Sequence, residues 1–488
     1  MPESSASQPA NTPRVLGNAS LLLVAQFLVT PLTILVNAVA ARTLGTSGYG
    51  RYYQALTFTS FVFLFVEWGQ SGALTRKVAV NRADAGELLG SGIAFRACAA
   101  LVAAILVPLA CLLAGYDRDF IIVLSLCMVS ATFGTVAAAG HSVFLGYERT
   151  DVAAATQVGG QLLTAALVVP TLLLGGGLEG VMVAQMALAL VAAVFTLAIL
   201  PRMKVPKLSV RWATIRDLVR SGHPFLVFAL VLALQPMIDA AMLSKFSSAD
   251  SIGWYAAARK LVGVLVYPAS ALTLALYLTL CRLHAQDMEA FRKTASDALY
   301  SVTIVVVPVA VGCALFPELG IAIFGERAYG PAEDDLRVLA PFVFLVYFSM
   351  PIGSCLASSG RQSAWTAVQL GSVVVSAVLD PFLIGWFQEH SGNGGLGVCV
   401  AAVLSEVLMV AGGLWLMPKG ILPKIPRAKI ASALASGVVM VLVALSLTQV
   451  NVIVRAVIAV LAYVLCLQLS GGFNFLQLRS FVVSLRRR

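Results

Sequence analysis

Hydrophobic positions in this chain do not alternate with polar ones. They fall in long runs of about twenty residues, each closed by a short corner of Gly, Ser or charged side chains. Fourteen such runs are legible, near residues 16–41, 52–74, 88–114, 119–145, 151–175, 178–201, 221–245, 252–281, 297–323, 333–359, 362–388, 395–417, 427–448 and 451–470. A helix of that length spans the ~30 Å of bilayer hydrocarbon. In lipid only helices and closed barrels satisfy their own backbone polar groups, and the lack of alternation selects helices. The fold class is therefore an all-α polytopic membrane protein with about 14 transmembrane helices. Pro31, Pro268 and Pro308 lie inside the first, eighth and ninth runs and predict bends there.

Composition agrees with that pattern. Of 488 residues, 59% are hydrophobic and 11% charged, and the mean hydropathy is +0.90. The net charge of +10 then reads as a topology signal rather than as affinity for nucleic acid. With loops assigned alternately to two sides, one side collects twenty-three Lys and Arg and the other six. The positive-inside rule places both termini in the cytoplasm of a multi-pass cell-membrane protein. Eight cysteines are scattered singly with no CxxC pair, so no zinc site, disulfide frame or other cofactor site is expected. The polar Pro/Ser-rich tail 1–15 is predicted to be disordered. The first apolar run is too long for a signal-peptide core and reads as a retained span. The basic amphipathic tail 471–488 is predicted to lie on an anionic leaflet.

A basic linker, 202–220, divides the chain into a six-helix lobe, 16–201, and a second, 221–417, followed by an extra helix pair, 418–470. Residues 37–56, NAVAARTLGTSGYGRYYQAL, match 239–260, DAAMLSKFSSADSIGWYAAARK, through a Gly/Ser corner and Gly-x-Tyr. Further along, Arg149, Gln157 and Gly159 align with Arg361, Gln369 and Gly371. The turn Gly177-Leu178-Glu179-Gly180-Val181 resembles Gly395-Leu396-Gly397-Val398. Similarities in the same order read as an internal duplication, the arrangement of transporters that bind substrate between repeats.

Charges inside apolar runs are the candidate chemistry, because each costs a few kcal/mol unless it has a partner or a task. Arg96 lies on the order of 12 Å into the third run at the helical rise. Arg259 and Lys260 lie at similar depth from the other face, one helix after Asp239. Glu67, Asp380, Glu406 and Arg455 complete the set. The bland readings are snorkelling side chains or local ion pairs, such as Asp239 with Arg259. The functional reading assigns Arg96, Arg259 and Lys260 to an anion-binding cavity, since a guanidinium fork fits phosphate oxygens. Glu67, Asp239 and Glu406 are the candidate coupling or ion-pair carboxylates. Gln26, Asn37, Gln54, Thr57, Thr59, Ser60, Gln70 and Gln235 offer polar groups to a hydroxyl-rich cargo. Tyr52, Tyr53, Trp254 and Tyr255 read as interfacial aromatics.

Leu44-Gly45, Gly48-Tyr49-Gly50-Arg51-Tyr52, Glu67-Trp68-Gly69 and Gly72-Ala73-Leu74-Thr75-Arg76, with Asp239 to Lys260, carry a family likeness. The chain resembles the oligosaccharide (polysaccharide) flippases of the multidrug/oligosaccharidyl-lipid/polysaccharide exporter superfamily. Glu67-Trp68-Gly69 stands where that family usually has Asp-Leu-Gly, so the carboxylate is kept. The resemblance implies a non-enzymatic flippase moving a polyprenyl-diphosphate-linked oligosaccharide to the outer leaflet by alternating access. Its partners would be that lipid-linked substrate, membrane lipids and other polysaccharide-assembly proteins. By motif position it adds Arg76 to Arg259 as headgroup-binding residues, and it implies that the last two spans shape a groove for the lipid tail.

Two other classes compete. A proton- or sodium-coupled drug/cation antiporter of the same superfamily would favour a carboxylate-lined cavity. A membrane glycosyltransferase would need long catalytic loops, and the acidic Glu333-Asp334-Asp335 corner is the nearest feature to one. The sequence has no phosphate-binding loop of the nucleotide-hydrolysing type.

Overall fold

The computed structural model describes residues 12–325, 327–418, 420–421 and 427–471. Of the two tails read from sequence, 1–11 and 472–488 lie outside the described residues. The first seven helices are α1 (Thr12–Glu67), α2 (Gln70–Val80), α3 (Ala85–Leu113), α4 (Arg118–Gly146), α5 (Thr150–Leu173), α6 (Gly177–Ile199) and α7 (Trp212–Phe246). There follow α8 (Ala249–Gln286), α9 (Met288–Leu315), α10 (Pro317–Ile321), α11 (Pro331–Ser358), α12 (Gln362–Ser391), α13 (Gly395–Leu416), α14 (Arg427–Ser446) and α15 (Val452–Leu469). Every apolar run from the sequence falls on a helix. Twelve helical segments among the described residues are long and apolar enough to cross a bilayer.

Three features depart from a one-run, one-helix scheme, one of them the break at Phe316 that divides the ninth run between α9 and α10. The first two runs share α1, which is broken at Gly45, where φ 70 and ψ 178 leave the helical region. The second run then stops at Glu67. Trp68 and Gly69 have φ of 52° and 65°, and the helix restarts at Gln70. Gly69 allows this break because a Cβ there would stand 2.3 Å from the carbonyl oxygen of Gly222. A broken helix frees backbone groups inside the bundle, a device common at transporter sites.

The chain forms two compact units. One comprises the chain up to Thr43 with Phe58–Leu230; the other comprises Leu44–Thr57 and the described chain from Val231 on. Within the first, α3 packs on α4, α4 on α6, and α5 on α6. Within the second, α9 packs on α11, α11 on α13, and α12 on α13, the same scheme repeated. Matching turns join the equivalent helices. Tyr147, Glu148 and Arg149 donate their N–H groups to the carbonyls of Val143, Leu145 and Phe144. Ser359, Gly360 and Arg361 donate to Cys355, Ala357 and Leu356 in the same register. The aligned Arg149 and Arg361 thus occupy the same place in the two copies, each at the residue preceding the first turn of the next helix. The helix pair α14 and α15 packs on α9 of the second unit through Val307, Met440, Ala459 and Tyr463.

Each unit has its own buried core: Leu74, Val78, Leu89, Val143 and Phe144 in the first, and Leu280, Phe291, Ile352, Leu356 and Trp365 in the second. The outer helix faces carry bare apolar side chains, among them Ile105, Leu106, Val374, Phe382, Val438 and Leu465. That is the surface a lipid solvent requires.

Candidate polar sites within the membrane helices

The second unit gathers charge around α8. Its N-terminal half follows the corner that begins at Ser248, whose side chain caps the helix by accepting from the Ser251 N–H. Two residues past Gly253, Tyr255 is 1% exposed and donates its hydroxyl to Asp239 Oδ2 on α7 at 3.0 Å. One further turn along α8 stands Arg259. Its Cζ lies 4.8 Å from the centre of the Phe342 ring on α11. Among the described residues it makes no hydrogen bond or ion pair. Asp239 and Glu406 lie within Coulombic range of Arg259. Glu406, on α13, accepts a hydrogen bond from Ser349 of α11. The neighbouring Ser405 accepts from Gln235 Nε2 at 3.4 Å. Tyr53 stands edge-on to Tyr255 with ring centres 6.2 Å apart.

The guanidinium therefore rests on an aromatic face, with its donors unspent and carboxylates nearby but not bonded to it. A face-on ring steadies a cation without using its N–H groups. Such a group suits an anion that needs several donors at once. Asp380 on α12 is fully buried, neither carboxylate oxygen has a hydrogen-bond partner among the described residues, and Asp239 is in Coulombic range. Asp239 Oδ1 is also without a partner.

The first unit holds a separate cluster. Arg96 of α3 is 1% exposed. It donates Nε to Gln70 Oε1 at 3.4 Å, one terminal nitrogen to the Thr135 carbonyl at 3.3 Å, and the other to Ser71 Oγ at 3.2 Å. Gln70 and Ser71 are the first residues of α2, directly after the Trp68-Gly69 break. Arg96 thus ties the restarted helix to α3 and α4, and Glu67 at the end of the broken helix is within Coulombic range.

The sequence-derived residues are thus distributed as follows. Arg259, Lys260, Asp239 and Glu406 fall in the second unit, Lys260 being half-buried on α8 beside Arg259. Arg96 and Glu67 fall in the first, and Arg76 is an exposed residue on α2. Asp239 takes its hydrogen bond from Tyr255 and not from Arg259. Two of the corner aromatics are packed inside the protein: Tyr52 is 5% and Tyr255 1% exposed. Phe342, Ser349 and Asp380 complete the second cluster. Their spacing in sequence carries no signal that Phe342 meets Arg259 or that Ser349 meets Glu406, although Asp380 stands out as a charge in an apolar run.

A model of the family described as polysaccharide biosynthesis protein matches residues 15–284. No curated protein sequence matches the chain. Among solved structures, one described as "Lipid II flippase MurJ, inward closed conformation" superposes with a TM-score of 0.73 at 15% identity, covering 95% of this chain and 99% of that one. An inward-facing multidrug resistance MATE family transporter of the MOP superfamily gives a TM-score of 0.65 at 16% identity, covering 81% and 97%. A MOP superfamily transporter from Pyrococcus furiosus gives 0.58 at 15% identity, covering 86% and 96%. These structural likenesses establish a shared fold.

Proposed function

The chain belongs to the polysaccharide biosynthesis protein family, and from that premise we propose that it is a flippase for a polyprenyl-diphosphate-linked oligosaccharide. It moves the headgroup from the cytoplasmic to the outer leaflet by alternating access between its two six-helix lobes, while the lipid tail stays in the bilayer. The observation that carries this reading is Arg259, seated on the Phe342 ring with no hydrogen-bond or ion-pair partner among the described residues. An apolar span holds such a cation only if something compensates it, and a diphosphate supplies several acceptor oxygens at once. Lys260 in the second unit, and Arg76 and Arg96 in the first, are the further cations assigned by this reading to the headgroup. The apolar outer faces leave the isoprenoid chain in lipid.

A negative cell interior favours outward movement of two negative charges by about 4–5 kcal/mol per 100 mV. The same field draws an empty cationic site back inward, so the potential serves both half-cycles. Both chain ends are placed in the cytoplasm, because the loops on that side carry most of the Lys and Arg. The substrate arrives from, and passes to, proteins of cell-surface polysaccharide assembly.

A second reading has its own observation. Asp239 and Asp380 are buried carboxyls with unpartnered oxygens in Coulombic range of each other, the kind of group a proton- or cation-coupled antiporter uses. One experiment separates the two readings. The full-length protein is placed in proteoliposomes with a fluorescent polyprenyl-diphosphate sugar, and leaflet transfer is measured for wild type and Arg259→Ala. Transfer by wild type and its loss in a folded variant support the flippase. Failure to transfer the lipid, together with exchange of organic cations for protons, gives the site to the antiporter.

A further inference from the structure

The first unit has a groove that the transport reading does not use. Its walls are Val62 and Phe65 of α1, Phe95, Cys98 and Val102 of α3, and Trp212 at the start of α7, and its volume is about 570 Å³. Every lining residue is apolar or a thiol. The α3 wall runs from Ala94 to Val107, about 20 Å at the helical rise, against roughly 15 Å for half of the bilayer's hydrocarbon thickness. The groove is long enough to take a lipid chain through one leaflet.

One end of it is fixed by the basic linker. The N–H of Arg211 donates to Ser91 Oγ at 3.1 Å, which brings Trp212 and Ile215 against the start of the α3 wall. Next to Ile215, on the same helix, stand Arg216 and Arg220, one turn apart and both exposed. Neither has a hydrogen-bond or ion-pair partner among the described residues. The acidic neighbours are already engaged: Asp217 by Lys77, and Glu87 by Thr214 and Arg211. The mouth of the groove is therefore left with net positive charge, flanked by an exposed Trp of the kind found at headgroup depth.

We infer that this groove binds one anionic phospholipid, its acyl chain along α3 and its phosphate against Arg216 and Arg220. Apolar walls take the chain, and unpaired guanidinium groups at the end of those walls take the phosphate. The ligand is a resident membrane lipid and not the transported one, so the inference stands apart from the flippase reading.

The test uses full-length protein in phosphatidylcholine vesicles doped with a phospholipid carrying a diazirine in its acyl chain. Adducts are mapped by mass spectrometry. With phosphatidylglycerol as the probe, adducts are expected to concentrate on residues 94–107, and phosphatidylcholine probes are expected to give few there. Arg216→Gln and Arg220→Gln, both surface changes, are each expected to cut the adduct about fivefold. The exposed native thiol of Cys98 supplies a variant-free check. Phosphatidylglycerol should slow its reaction with a lipid-soluble maleimide relative to phosphatidylcholine alone. Equal labelling by both lipids, or adducts spread over all outer helices, overturns the inference. So does displacement of the probe by polyprenyl phosphate but not by unlabelled phosphatidylglycerol, which would assign the groove to the transported lipid's tail.

Discussion

Gly50 and Gly253, the opening residues of two matching Gly-x-Tyr corners, pack backbone to backbone: a Cβ on Gly50 would stand 2.8 Å from the Gly253 nitrogen. The approach is reciprocal, since a Cβ on Gly253 would stand 2.1 Å from the Thr46 carbonyl oxygen. Thr46 also donates its hydroxyl to Asp250 beside that corner, and Tyr329 donates to the Gly45 carbonyl at 3.2 Å. The repeat visible in sequence is thus a contact in space, and the glycines are there because the backbones touch. Gly253→Ala is expected to destabilise the protein by about 1–3 kcal/mol through overpacking against a carbonyl that cannot rotate away. Gly263→Ala, on the same helix with open space at its Cβ, is the control and should not lower the melting temperature in detergent. If both variants melt together, the close approach is not what holds the corner.

The helices were legible because lipid leaves the backbone no alternative, and the duplication because Arg149 and Arg361 sit in turns whose geometry restricts the sequence. The break at Trp68-Gly69 was not legible. It falls inside an apolar run, and its cause is the carbonyl of Gly222, more than 150 residues away. The sequence placed charge at Arg259 and Asp239 but paired them with each other. The donor on Asp239 is Tyr255, a residue whose aromatic ring read as an interfacial anchor. Phe342 under Arg259 could not be anticipated, because an aromatic in an apolar run is indistinguishable from ordinary core.

Arg96 and Arg259 are both membrane arginines, yet their surroundings predict different losses. Arg96 spends donors on Gln70, Ser71 and the Thr135 carbonyl. Arg96→Met is expected to lower stability by about 1–3 kcal/mol as those buried acceptors lose their donor. Arg259 makes no hydrogen bond or ion pair among the described residues and rests on the Phe342 ring, so Arg259→Met should leave the melting temperature nearly unchanged. Its effect should appear in binding of a polyprenyl-diphosphate sugar, weakened about 10–100-fold for the loss of charge-assisted hydrogen bonds. Arg259→Lys keeps the charge and loses the fork, and should fall between. Thermal unfolding and lipid binding on the same preparations check both halves. Equal stability losses for the two Met variants would contradict the assignment.

Tyr255 and Asp239 form a buried pair that a double-mutant cycle can isolate. Tyr255→Phe removes the only hydrogen bond to Asp239 found among the described residues, at an expected cost of about 1–3 kcal/mol. Asp239→Asn keeps the shape but weakens the acceptor. Combined, the two changes should cost less than their sum by about 0.5–3 kcal/mol, as for groups in direct contact. Additive losses would mean that the 3.0 Å contact contributes nothing of its own.

The linker between the lobes lies along α3 as a strap. Gly86 and Gly90, one turn apart on α3, face its backbone: a Cβ on Gly86 would stand 2.4 Å from the Pro206 oxygen, and one on Gly90 2.5 Å from the Ser209 oxygen. Ser91 then holds the N–H of Arg211. Two glycines on one face let the extended chain lie against the helix, and a larger residue at either must push it off. Lys204, Lys207 and Arg211 are trypsin sites on that strap. Gly86→Val and Gly90→Val are therefore expected to raise the rate of tryptic cleavage between residues 202 and 211 several-fold in otherwise folded protein, because cleavage tracks the population of the detached segment. Gly134→Val, on α4 with nothing within 4 Å of its Cβ, tests whether any glycine change does the same. Unchanged cleavage in the Gly86 and Gly90 variants would mean that the strap is held elsewhere, with the Arg211–Glu87 ion pair, 3.4 Å between Nη1 and Oε2, as the next contact to remove.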